Sequence, residues 1–399
     1  ETFEYRNNFG PSDFKNNTNK NIIKLIRETV ENSVKSRLLS DVPIGSFLSG
    51  GLDSSIVATI AAKNLDRLDT FTVGFEDIDD PHHGKADESA QAAETALRIG
   101  SKHHKIIASS SYFRELLDDY CKYGDLPWAV SSGLGIMAIS RAASDLGLKV
   151  LLNGDGADEA FGGYSWYSYL KDIKNEKSDK DNQISFNNIS LSIDERVLLL
   201  NKLTGAQRGY AWHYYANEFE KKSLFSKEFY DGQESSLRFF KNLDQDSSPV
   251  EFIKHDRNFY FPYEMLRKAD RMTMAYSIEG RTPFASPNIQ ALSNQLEYKH
   301  MVRKGELKWM LRKAFEDMLP MDVINRPKHG FNVPIDHWLN NDWSDLVEET
   351  FSEGSSLRKN NLVGNNSLEV AKKMLKNNHK RLSGNTIFSF IMLNKWLDN

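Results

Sequence analysis

Along the first 165 residues the apolar positions switch repeatedly between two periods, and each switch predicts a change of element. Ile22, Ile23, Ile26, Val30, Val34 and Leu38 recur at three and four residues, which predicts a helix over 22–39, ended by Asp41-Val42-Pro43. A short apolar run, Ile44-Gly45-Ser46-Phe47-Leu48, then predicts a strand, and a helix-like stretch begins at Ile56. The alternating, β-branched run 69–75 predicts a second strand. A helix over 85–99 closed by Gly100, a third strand over 103–107, helices over 113–123 and 131–146, and a fourth strand over 149–153 complete the stretch. Strands separated by helices predict an α/β fold with a parallel, doubly wound sheet and a ligand at the strands' carboxyl ends.

Beyond Tyr164 the strand signals fade. Residues 171–190 are charged and read as a surface loop, while 191–203, 206–221, 263–277, 306–318, 368–377 and 387–396 carry helical spacing. The expected division is a polar linker over 1–20, an α/β core over 21–165 and a mostly helical part over 166–399.

Composition narrows the choice little but usefully. A net charge of −4 gives no general attraction to nucleic acid or anionic membrane. No apolar run is long enough to span a bilayer, and no signal peptide is visible, so a cytoplasmic setting is expected. The single cysteine, Cys121, rules out an internal disulfide and a cysteine-rich zinc site.

The chemistry concentrates in four stretches. In Ser49-Gly50-Gly51-Leu52-Asp53-Ser54-Ser55 a strand ends in paired glycines and turns into a helix, which aims backbone N–H groups and the helix's positive end at one anion site. Ser49, Ser54 and Ser55 can add hydroxyl donors, and Asp53 can share a Mg²⁺ with phosphates. No Gly-Lys-Ser/Thr ends the loop, so it is not a Walker loop. The residues by themselves would also serve as an ordinary helix N-cap.

The second stretch, Asn153-Gly154-Asp155-Gly156-Ala157-Asp158-Glu159, holds three carboxylates and two glycines at the end of the fourth strand. So much negative charge needs a cation or donors, and Asp53 and Asp158 could hold one Mg²⁺ between them across the crevice. In the third, Tyr263 to Phe284, the residues Glu264, Lys268 and Arg271 fall on one helical face. Alone, that face would be a salt-bridged surface, and Glu279 with Arg281 reads equally as an ion pair or a substrate contact. The fourth couples Lys308 and Arg312 to the tight loop Arg326-Pro327-Lys328-His329-Gly330-Phe331, which presents Lys328 as a point charge.

The first stretch resembles the pyrophosphate loop (PP-loop, SGGxDS) of ATP pyrophosphatases, which implies a HUP-like core and products AMP and pyrophosphate. All four in order resemble the synthetase domain of glutamine-dependent asparagine synthetases, over about residues 20–395. That resemblance implies ATP and Mg²⁺ as cofactors and an amide-forming reaction in which a carboxylate is adenylated and then attacked by ammonia. It places Leu48 and Val73 on adenine and ribose, Asn153 and Gly154 around that pocket, Ser49, Gly50, Gly51 and Ser54 on phosphate, and Asp53 and Asp158 on the metal. Asp155 and Glu264 match the catalytic pair, Lys328 the lysine that steadies the transition state, and Lys308 a second phosphate contact.

Two departures bear on the acceptor. Ala285-Ser286 stands where Leu-Asp is common, and Leu126 where Glu is commoner, so aspartate shares the field with another acid: a sugar acid, a β-lactam precursor or a peptide side chain. The family's glutaminase uses an N-terminal cysteine, whereas these residues begin with Glu1. Ammonia is therefore expected from a glutaminase domain or subunit outside this chain, with residues 1–20 as its connector, or else free ammonia or an internal amine serves, and a homodimer is allowed. A PP-loop enzyme that modifies tRNA is the rival of another class. The absence of a basic stripe stands against it.

Overall fold

A computed structural model describes residues 18–75, 88–168, 170, 205, 207, 209, 216, 218–244, 246–326, 333–376 and 383–399. The sheet at its centre has five parallel strands in the order β3-β2-β1-β4-β5. They are β1 (Ile44–Phe47), β2 (Asp69–Phe75), β3 (Lys102–Ala108), β4 (Val150–Leu152) and β5 (Glu279–Arg281). β1 is central: Gly45 registers with Asp69 on one side and with Leu151 on the other. Winding from β1 outward through β2 and β3 and then in the other direction through β4 and β5 puts a topological switch between β1 and β4. A crevice opens at such a switch, above the strands' carboxyl ends.

Helix α1 (Asn19–Ser36) is capped by the Thr18 hydroxyl and buries Ile22, Ile26, Val30 and Val34, the stripe that its spacing predicted. The next helix, α2 (Leu52–Ala62), starts directly after β1 and is buried on nearly every side. α3 (Ser89–Ile99) ends on Gly100 in the left-handed region, as expected. Two short helices, Ser110–Glu115 and Leu117–Gly124, stand where one was predicted. α4 (Ser132–Asp145) leads to β4, and α5 (Ala157–Phe161) follows β4 as α2 follows β1.

The fifth strand is the main addition to the sequence reading. β5 is polar and half-exposed, with no apolar alternation, yet it pairs in parallel with β4 through Val150↔Glu279 and Leu152↔Arg281. The α/β sheet is as expected, but its last strand comes from the part read as helical. One core cluster joins Ile26, Val30 and Phe161 to Phe284, Leu311 and Phe315.

The predicted helix over 263–277 is a π-helical turn, Phe261–Leu266, running into α6 (Arg267–Met274). α7 (Trp309–Phe315) is shorter than the predicted 306–318, whereas Ser367–Lys376 and Ser383–Asp398 stand close to expectation. The proposed linker up to residue 17, the charged loop at 171–190, the helix at 191–203, most of that at 206–221 and the loop bearing Lys328 lie outside the described residues. Among the described residues no helix is long and apolar enough to cross a membrane.

Candidate active site

Two loops meet over the β1/β4 switch, and their approach depends on one glycine. A Cβ on Gly154 would lie 2.9 Å from the Ser54 amide nitrogen and 3.1 Å from the Asp53 carbonyl carbon. Only a residue without a side chain lets the end of β4 lie this near the first turn of α2. Asn153 shapes the approach: its Oδ1 accepts from the Asp155 amide at 3.2 Å, and its own amide donates to the Arg281 carbonyl at 3.0 Å. β5 therefore steadies the loop it was not expected to touch.

The first loop is closed by its own hydroxyls. The Ser49 amide donates to Ser54 Oγ at 3.1 Å, the two hydroxyls stand 3.0 Å apart, and the Gly51 amide donates to Ser49 Oγ at 3.3 Å. Gly50 takes a φ of +76° and its carbonyl accepts from Arg326 Nη1. Gly50 does not line the cavity below, and Ser55 is fully buried away from it. Those two residues shape the turn.

The cavity between the loops has a volume of about 480 Å³. Leu48, Ser49, Gly51, Asp53, Ser54, Val73, Asn153, Gly154, Asp155, Asp158 and Lys308 all line it. So do Ser132, Ile136 and Ile139 of α4 and Met265, together with Glu159 and Lys268, to which the sequence reading assigned no part in ligand binding. Ile136 and Ile139 fall in the helix expected over 131–146, and helical spacing alone cannot tell a core face from a pocket wall.

Lys308 is the centre of the charge arrangement. Its φ of +54° at the start of α7 turns the side chain inward, and the ammonium lies 2.5 Å from Asp53 Oδ2 and 2.5 Å from Asp158 Oδ1. The two carboxylates thus face one another across a single cation, no further apart than twice that distance. All three side chains are largely buried, at 4%, 16% and 13% exposed. A Cβ on Gly163 would strike both Asp158 and Lys308, so this glycine leaves room for the contact. Lys308, expected to touch phosphate, lies between the two carboxylates that were expected to share a metal.

The donor set fits a magnesium ion held jointly with phosphate. Asp53 Oδ1 is buried with no hydrogen-bond partner among the described residues. No group of three or more His, Cys, Asp or Glu side chains gathers there among the described residues, so two carboxylates would need further oxygens from a nucleotide. Beside them Glu159 is buried, and its Oε1 accepts from the Tyr164 hydroxyl at 2.6 Å. Burial first, and the neighbouring Asp158 second, push its carboxyl up to about 8.

Glu264, expected opposite Asp155, does not line the cavity. It sits in the π-helical turn Phe261–Leu266, whereas Lys268 sits in the α-helix that follows, so a single regular helix does not carry both. Arg271 turns to Asp125 at 3.5 Å instead, and Glu279 and Arg281 form a bidentate pair at 2.9 and 3.1 Å outside the cavity. Leu126, Ala285 and Ser286 line none of it either, so the two departures do not read the acceptor there. Ser286 caps the helix Pro287–Ser293 through the Ile289 amide.

Comparison with known proteins agrees with the four stretches. The asparagine synthase family model matches residues 25–398. Asparagine synthetase [glutamine-hydrolyzing] 1 of Bacillus subtilis is 32% identical over 348 residues, covering 84% of this chain and 53% of its own length. A putative asparagine synthetase [glutamine-hydrolyzing] of Mycobacterium bovis is 31% identical over 348 residues, covering 85% and 52%. Asparagine synthetase [glutamine-hydrolyzing] 1 of Arabidopsis thaliana is 26% identical over 335 residues, covering 79% and 43%. The chain spans about half the length of these relatives. With the PP-loop at the end of β1 and the Asn153–Glu159 loop at the end of β4, the chain belongs to the asparagine synthase family.

Proposed function

We propose that this chain is the ATP-dependent half of an amide-forming ligase, in which a carboxylate oxygen attacks the α-phosphorus of ATP. The bond from that phosphorus to the bridging oxygen breaks, and pyrophosphate leaves. Ammonia then attacks the acyl carbon, loses a proton to a base, and AMP departs. The acceptor that the relatives' names suggest is aspartate.

The observation that carries this reading is the convergence of Asp53 and Asp158 on one cation above the β1/β4 switch. The PP-loop amides and the start of α2 suit the leaving pyrophosphate, since both point positive charge at an anion. Leu48 and Val73 supply apolar wall for the nucleoside, with Asn153 and Gly154 beside them. Mg²⁺ held by Asp53 and Asp158 would supply Lewis-acid stabilisation of the phosphates. Lys308, displaced from between those carboxylates, can turn its charge to phosphate oxygens, and Lys328 is proposed from the resemblance to steady the charge that builds on the α-phosphate. Asp155 stands in the cavity where it can orient ammonia or accept its proton, with Glu264 as its proposed partner.

The relatives are named for glutamine hydrolysis, and Cys121 here is buried in the helix Leu117–Gly124. Ammonia would therefore come from a glutaminase outside these 399 residues. Carboxylate-dependent exchange of pyrophosphate into ATP tests the whole reading. Exchange with aspartate or another acid supports adenylation; release of orthophosphate in its place refutes it.

A further inference from the structure

Lys308 neutralises Asp53 and Asp158 without help from any ligand. Its ammonium lies 2.5 Å from an oxygen of each carboxylate, and its side chain is 4% exposed. A Mg²⁺ shared by the two carboxylates, with its oxygens at about 2.1 Å, would need the same gap. An ammonium and a metal ion cannot both occupy it, because two cations that close repel strongly where water is excluded. The metal therefore reaches both carboxylates only if the ammonium leaves. Asp53 still has an oxygen to offer it: Oδ1 is buried with no hydrogen-bond partner among the described residues.

The backbone beneath the ammonium is pinned, so only the side chain can move. The Lys308 amide donates to the Gly162 carbonyl at 3.2 Å, and the amides of Gly162 and Gly163 both donate to the Asp158 carbonyl at 2.9 Å. The loop that carries Asp158 thus holds Lys308 at its φ of +54°, in the left-handed region that residues other than glycine seldom adopt. A departing ammonium gives up two ionic partners at once and stays inside the cavity that Lys308 lines. A buried charge parted from its partners is strongly penalised. A phosphate chain in the same cavity removes that penalty, since it has oxygens for the ammonium and for the metal.

We propose that Lys308 makes the metal site conditional: it is the counter-ion of Asp53 and Asp158 in the free protein, and it admits Mg²⁺ only when a phosphate chain takes over its ammonium. This rests on the reading above that ATP binds over the β1/β4 switch, and it adds the rule by which that site loads. Free Mg²⁺ does not fill the site, and the two carboxylates keep their places without it. Metal and nucleotide then raise each other's affinity by one common factor, as linkage requires.

The test measures binding of Mn²⁺, a Mg²⁺ substitute visible by electron paramagnetic resonance, to the full chain with and without α,β-methylene-ATP, which cannot be split next to its α-phosphorus. Without the analogue, the wild type is expected to bind Mn²⁺ about 30-fold more weakly than Lys308→Met or Lys308→Gln, while Lys308→Arg, which keeps the charge, stays near the wild type. With the analogue, the wild type should gain tight Mn²⁺ binding. Adding Asp53→Asn to Lys308→Met should abolish the gained affinity and so place the ion at this pair. Equal affinity of the wild type and both neutral variants for Mn²⁺ alone overturns the proposal. So does saturation of the nucleotide-free wild type at a site that Asp53→Asn removes, a result that depends on no Lys308 variant and would mean that another carboxylate, such as that of Asp155, receives the ammonium. Analogue bound without Mn²⁺ removes the shared metal and this proposal but leaves the nucleotide site standing. No binding of the analogue removes the ATP reading and the proposal with it.

Discussion

The Gly154 backbone and the Ser54 amide approach so closely that a single methyl group would intervene, with 2.9 Å between that added carbon and the nitrogen. This contact joins the ends of β1 and β4 and sets the spacing of Asp53 from Asp158. The obstructing atoms are the Ser54 nitrogen and the carbonyl carbon and Cβ of Asp53, none of which can rotate aside as the end of a flexible side chain can.

Gly154→Ala should therefore force the two loops apart. Activity is expected to fall by about 100-fold, the usual cost of an ångström of misplacement, with a stability loss of about 1–3 kcal/mol. Exchange kinetics and urea unfolding on one preparation measure both. Unchanged exchange would mean that the loops need not touch.

Removing the ammonium between the carboxylates should expose their repulsion. Lys308→Met is expected to destabilise the nucleotide-free protein by about 3–5 kcal/mol, because it leaves two buried anions uncompensated. Mg²⁺ should then raise the melting temperature of the variant more than that of the wild type. Thermal unfolding with and without Mg²⁺ decides it, and equal shifts would count against a shared cation position.

Glu159 makes stability depend on pH. Its folded pKa of about 8 lies above the roughly 4.3 of an unfolded glutamate, so the folded state keeps a proton that the unfolded chain releases. Its contribution is fully present below about pH 4 and is lost as pH rises toward 8. Glu159→Gln should flatten the decline in unfolding free energy over that window. An equally steep decline in the variant would show that other groups cause it.

Arg326 ties the PP-loop to the rest of the site by donating to the Gly50 carbonyl, and it lies 3.4 Å from Asp322. Arg326→Met should raise the KM for ATP by about tenfold through a looser loop. Steady-state kinetics at saturating acid would show it; a change in kcat alone would place Arg326 in the chemistry instead.

Much of this arrangement was legible in the residues. The glycine-rich turns at 49–55 and 153–159 announce themselves because backbone must approach a ligand there, and the stripe from Ile22 to Val34 is readable because burial follows the helical period. β5 was not readable: Glu279-Gly280-Arg281 has no strand pattern, and its only reason to be extended is the free edge of β4. The face with Glu264, Lys268 and Arg271 would alone be a salt-bridged surface, because spacing tells which residues share a side of a helix, not what covers that side. The π turn before it escaped notice for the same reason.

Local order thus determines which side chains can form a phosphate loop, an acidic turn or a helix cap, since those depend on neighbours a few positions away. Only the tertiary structure decides that Lys308 answers Asp53 and Asp158 while Lys268 is left beside a hydroxyl. Charge interactions depend on distance and on exclusion of water, and both are set by how strands and helices far apart in the chain are brought together.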